Sequence, residues 1–89
     1  MEIIIDSELK DICKEILESK MSLEEWKKSN SEDMFQSDKY CGGFEKKESA
    51  FCFSLYSETA EYWFQFSLND AEKIVAGELK SLTGRKATG

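Results

Sequence analysis

The stretch Cys41–Leu68, CGGFEKKESAFCFSLYSETAEYWFQFSL, decides the fold, because apolar and polar residues alternate through it with period two in two successive segments. In the first, Phe51, Phe53 and Leu55 fall on one face and Ala50, Cys52, Ser54 and Tyr56 on the other. In the second, Tyr62, Phe64, Phe66 and Leu68 alternate with Trp63, Gln65 and Ser67. Two antiparallel strands keep their apolar faces together only if odd positions of one meet even positions of the other. A four-residue loop Ser57–Ala60, closed by Tyr56 opposite Glu61, satisfies that condition. It predicts an aromatic ladder with Leu55 against Tyr62, Phe53 against Phe64 and Phe51 against Phe66.

Upstream, taking Glu45–Glu48 (EKKE) as the turn sets Phe44 opposite Ser49, Cys41 opposite Cys52 and Tyr40 opposite Phe53, which completes a three-stranded meander. Gly42 and Gly43 weaken that first strand and point to a bulge or to a close approach by another backbone.

Outside the meander the period is helical. Asp6–Lys20 places Leu9, Ile12, Cys13 and Ile16 at i, i+3, i+4, i+7 with Leu17 beside them, an amphipathic helix capped by Asp6 or Ser7. Ser22 followed by Glu25 matches a capping box and opens a short second helix anchored by Trp26. Residues 29–39 read as a loop pinned by Met34 and Phe35. Ser67–Gly84 reads as a C-terminal helix capped by Ser67 or Asn69, with Ala71, Ile74, Val75, Leu79 and Leu82 on one stripe and Gly84 as its stop. Gly77 interrupts that helix at a cost of about 1 kcal/mol relative to Ala and marks where it would end early.

The expected architecture is α+β, in the order ααβββα: two N-terminal helices, a three-stranded antiparallel meander, and a C-terminal helix packed on the sheet. Ile3–Ile5 adds at most a short edge strand. Residues 1–84 form a single globular domain and residues 85–89 a disordered tail.

Composition bounds the chemistry. The 89 residues carry 18 Asp plus Glu against 12 Lys plus Arg, net charge -6, which opposes nucleic-acid and anionic-membrane binding. No apolar run approaches the length of a bilayer span, and Glu2 and Asp6 flank the only apolar start, unlike a secretory signal, so the expected compartment is the cytoplasm. Three cysteines without histidine leave no Ser-His or Cys-His pair and no compact zinc-ligand set, so neither a metal nor another cofactor is expected. Cys41 opposite Cys52 leaves open a disulfide, a redox pair or two ordinary small residues. Carboxylate pairs such as Glu24 with Glu25 are what any acidic surface produces, and no motif with a catalytic mechanism is present, so the chain reads as non-enzymatic.

The second sheet face is the informative one, because it mixes Tyr56 and Trp63 with Ser54, Gln65 and Ser67, and Tyr and Trp are enriched at binding hot spots. Either a helix covers this face and both aromatics are core, or it stands open with Glu24, Glu25, Glu32, Asp33, Asp38, Glu58 and Glu61 as an acidic rim. The open alternative gives a protein-binding surface of Tyr56, Trp63, Gln65 and the last five of those carboxylates. In size and charge the chain resembles small toxin-immunity proteins and phage-encoded inhibitors. That resemblance implies an inhibitor that occludes a basic partner such as a nuclease. The alternative is an assembly module that forms a homo-oligomer through the sheet face, with acidity serving solubility.

Overall fold

In the computed structural model, which describes residues 1–87, the pairing predicted for the aromatic segments is present residue for residue. Strand β4 (Ala50–Tyr56) runs antiparallel to β5 (Glu61–Phe66), with Tyr56 opposite Glu61, Leu55 opposite Tyr62, Phe53 opposite Phe64 and Phe51 opposite Phe66. Phe51, Phe53, Phe64 and Phe66 stack with ring centroids 5.6–6.3 Å apart and interplanar angles near 20°. The Ser57–Ala60 loop closes through the Ser57 N–H on the Ala60 carbonyl at 2.9 Å.

The sheet extends well beyond a three-stranded meander, and this corrects the expected architecture. Its six antiparallel strands lie in the order β1-β6-β5-β4-β3-β2, where β1 is Glu2–Ile4, β2 Phe35–Gln36, β3 Tyr40–Glu45 and β6 Ser81–Lys86. Two short edge strands account for part of the difference. β1 pairs with β6, Ile3 opposite Leu82, and β2 pairs with β3, Phe35 opposite Gly42, so the pinning residue Phe35 is buried in a strand while Met34 is exposed.

The remaining difference lies at the C-terminus. Helix α3 (Leu68–Val75) is capped by Ser67 with Asp70 in a capping box and ends after two turns. Gly77, at φ +80°, takes the left-handed position, the Gly77 N–H bonds the Ile74 carbonyl and the Glu78 N–H bonds the Lys73 carbonyl, which together make a Schellman stop. Leu79 and Leu82, read as the last turns of a helical stripe, still pack against the core, but from a turn and a strand. Gly84 is no helix stop: it sits in β6 opposite Phe64. Arg85 and Lys86, expected in a disordered tail, belong to the same strand, while Thr88 and Gly89 of that tail lie outside the described residues.

The first hairpin also departs from expectation by two residues. Its turn is Lys46–Ser49, with Ser49 at φ +51°, and it sets Phe44 opposite Phe51, Gly43 opposite Cys52 and Cys41 opposite Ser54. A two-residue slip leaves every side chain on its original face, so alternation cannot choose between the registers. Packing can: this register brings Phe44 and Phe51 into an edge-on contact at 5.1 Å. Gly43 meets the close backbone approach that its sequence suggested, since a Cβ there would lie 1.7 Å from the Ser31 carbonyl oxygen. That same carbonyl accepts the Phe44 N–H at 3.1 Å.

Helices α1 (Ser7–Glu18) and α2 (Leu23–Lys28) form where the caps require, with Asp6 accepting the Leu9 N–H and Ser22 and Glu25 completing a capping box. Leu9, Ile12, Cys13 and Ile16 of α1, Trp26 of α2 and Ala71 and Ile74 of α3 all enter one buried cluster with the aromatic face of β3, β4 and β5. All three helices therefore cover the same face of the sheet. No helix among the described residues is long and apolar enough to cross a membrane.

Candidate functional site

With the helices on one side, strand alternation leaves the other face of the sheet without a helix over it, while the Ser31–Glu32 backbone packs on Gly43 at its β3 side. Along it lie Cys41 and Glu45 of β3, Cys52, Ser54 and Tyr56 of β4, Glu61, Trp63 and Gln65 of β5, and Thr83 and Arg85 of β6. Trp63 and Tyr56 keep 40% and 46% of their surface exposed, which settles that neither is core. A shallow groove of about 710 Å³ runs over this face. Cys52, Ser54 and Gln65 line its middle, Trp63, Thr83 and Arg85 the β6 end, and Glu45, Lys47 and Glu48 of the β3–β4 hairpin the other.

Trp63 is exposed yet held in place. Its Nε1 donates to Glu61 Oε2 at 2.5 Å, and Ser54 Oγ donates to the same oxygen at 3.1 Å. On its ring lies Arg85, the guanidinium carbon 5.4 Å from the centroid, within cation-π range. An aromatic fixed in one rotamer before it meets a partner loses little side-chain entropy on binding. Glu61 thus works as a positioning residue for Trp63.

Burial, with the charges of Glu45 and Glu48 nearby, raises the Cys52 thiol to about 11, so at neutral pH it stays protonated and a poor nucleophile. Burial alone raises Cys13 to about 12. All three cysteines are free, and Cys41 lies opposite Ser54, so the expected Cys41–Cys52 juxtaposition is not formed. Among the described residues no group of three or more Cys, Asp or Glu is placed to hold a metal ion.

The site residues singled out in the sequence divide into two groups. Tyr56, Trp63, Gln65 and Glu61 share the open face, and Glu58 stands in the adjoining β4–β5 loop. Glu32, Asp33 and Asp38 are brought instead to the β2 side of the sheet, three exposed carboxylates on the loops before and after Phe35–Gln36. They do not rim the Trp63 groove. The charges that border it, Glu45, Lys47, Glu48 and Arg85, were not singled out, because they depend on the β3 register and on the unforeseen β6.

No protein-family model, curated protein or solved structure matches this chain.

A second polar cluster ties α1 to the β2–β3 turn. Asp6 accepts from Lys39 Nζ and from Tyr40 Oη, the latter at 3.1 Å, while Glu8 accepts the Lys39 N–H at 3.0 Å and the Ser37 hydroxyl. Burial pushes the Asp6 carboxyl up, but the hydrogen bonds from Lys39, the Leu9 N–H and Tyr40, with the Lys39 charge, outweigh it and hold the group below the usual range. The Asp6 hydrogen bond raises Lys39 in return, and burial followed by the Asp6 charge raises Tyr40. These groups spend their polar capacity on one another, which makes the cluster a clasp between layers.

Proposed function

We propose that this chain is a non-enzymatic protein-binding module whose docking surface is the helix-free face of its sheet, with Trp63 as the anchor. The observation that carries this reading is the pairing of exposure with order at Trp63: a large aromatic, 40% exposed, locked by Glu61 and Ser54 at the end of a groove. Large aromatics in such settings supply most of the affinity of protein interfaces. The three free cysteines suit a reducing compartment such as the cytoplasm.

Two occupants follow from two different observations. The charges bordering the groove balance, Glu45 and Glu48 against Lys47 and Arg85, which favours a second copy of the chain and an assembly role. The net charge of -6 and the Glu32, Asp33 and Asp38 carboxylates beside β2 favour a basic protein, steered in and occluded as by an inhibitor or immunity protein of a nuclease. Such a partner would be drawn by the β2 side and not by an acidic rim around Trp63.

The test is a Trp63→Ala variant with the parent's circular dichroism. Its association, with itself and with any protein that co-purifies with the parent, is expected to weaken by about tenfold or more, the loss typical of a truncated hot-spot aromatic. Unchanged association in both settings refutes the reading.

A further inference from the structure

The bordering charges are balanced and also placed in a self-complementary way. Glu45 on β3 lies opposite Ala50, two residues from Cys52; Cys52 lies opposite Gln65; Gln65 is two residues from Trp63, which lies opposite Arg85 on β6. The Cys52–Gln65 pair is therefore the midpoint of a diagonal that runs from the Glu45 carboxylate to the Arg85 guanidinium. The diagonal crosses three strand spacings, about 14 Å, and four residues along the strands, about 13 Å.

We infer that the groove is filled by a second copy of this chain, packed face to face about a two-fold axis that crosses the Cys52–Gln65 pair perpendicular to that diagonal. The inference rests on the reading of the open face as a docking surface and names its occupant. Such an axis brings Arg85 of each copy to Glu45 and Glu48 of the other, twice over. It carries each Trp63 over Gly43 of the opposite β3, against the Ser31–Glu32 backbone that packs on that glycine. Because the diagonal stands about 45° from the strands, the two sheets cross at about 90°, the orthogonal class of sheet packing.

Charge supports this occupant. Among the described residues neither ion pair engages Arg85, Glu45 or Glu48: the two present are Lys27 with Glu24 and Lys39 with Asp6. The groove charges are thus uncommitted to one another within the chain. The four long strands make a face about 19 Å wide and 20 Å long, to which β1 and β2 add only three and two residues, so each copy covers about 400 Å² and the pair about 800 Å², the size of a transient contact. The dimer is accordingly a weak one that forms at high concentration.

Sedimentation velocity over a concentration series reaching the near-millimolar range tests it, with two charge-swap variants, Arg85→Glu and the double Glu45→Arg, Glu48→Arg. Each variant alone juxtaposes like charges at both symmetric contacts and is expected to remain monomeric where the parent dimerises. An equimolar mixture restores opposite charges at both contacts and is expected to dimerise again. A parent that stays monomeric throughout, or swapped variants that dimerise alone and gain nothing on mixing, overturns the inference. A monomeric parent leaves the open face available to another protein, whereas unaltered association of Trp63→Ala removes the docking surface itself, so the two failures are distinct.

Discussion

Trp63 Nε1 and Ser54 Oγ donate to the same oxygen of Glu61, at 2.5 and 3.1 Å, so one carboxylate at the start of β5 fixes the orientation of an exposed indole two residues on. If that is its role, Glu61→Ala frees the ring without unfolding the chain. The expected stability loss is about 1 kcal/mol, the scale of a partly exposed hydrogen bond. The decisive readout is heightened fast motion of the Trp63 indole in NMR relaxation, with Glu61→Gln, which keeps an acceptor, restoring much of the order.

Quenching separates the two tryptophans. Trp26 is fully buried against Phe35, Phe44 and Phe51, whereas Trp63 is open. Acrylamide is expected to quench one emission component strongly and spare a blue-shifted one, and Trp63→Phe to abolish the accessible component. Occupation of the open face shields Trp63, so the accessible fraction falls as the face is filled.

Gly43→Ala tests how closely the loop before β2 is seated. A Cβ at this position meets the Ser31 and Glu32 backbone, which no side-chain rotation relieves. The expected cost is about 1–3 kcal/mol, as for overpacking elsewhere, measured by urea denaturation.

The Asp6 clasp gives a pH dependence of definite sign. Its folded-state pKa lies below the ordinary 3.8, so its stabilisation is present above that value and is lost as pH falls through the lowered one. Lys39 and Tyr40 are raised above 10.5 and 10.0, so their contributions are present below those values and decline as pH rises through the raised ones. Asp6→Asn is expected to lower the melting temperature at neutral pH and to flatten both limbs of its pH profile. Limbs identical to the parent's contradict the assignment.

Legibility in the sequence followed the range of the forces involved. The β4–β5 register was readable because a four-residue loop and the aromatic alternation around Phe53 and Phe64 agree. The β3–β4 register was not: the slipped and correct pairings bury the same face, and the choice rests on Phe44 meeting Phe51 and on Ser31 packing over Gly43, contacts between segments that sequence spacing does not link. Strand β6 was masked because Leu79 and Leu82, three apart, continue a helical stripe as well as they fit a turn and a strand. Its pairing with Glu2–Ile4 joins opposite ends of the described chain. The same boundary runs through the site. Tyr56, Glu61, Trp63 and Gln65 follow from alternation alone, Glu45, Glu48 and Arg85 depend on distant pairing, and the placing of every helix on the opposite face decides that the site is open.

The most direct test of the open face as the docking surface is an amide-resolved NMR concentration series on the parent chain, extended to any protein that co-purifies with it. The account predicts shifts concentrated at Cys52, Ser54, Trp63, Gln65, Thr83 and Arg85, including the Trp63 indole, and lost in Trp63→Ala. Shifts confined to the exposed sides of α1 and α3, or to Glu32, Asp33 and Asp38 with the groove silent, would contradict it.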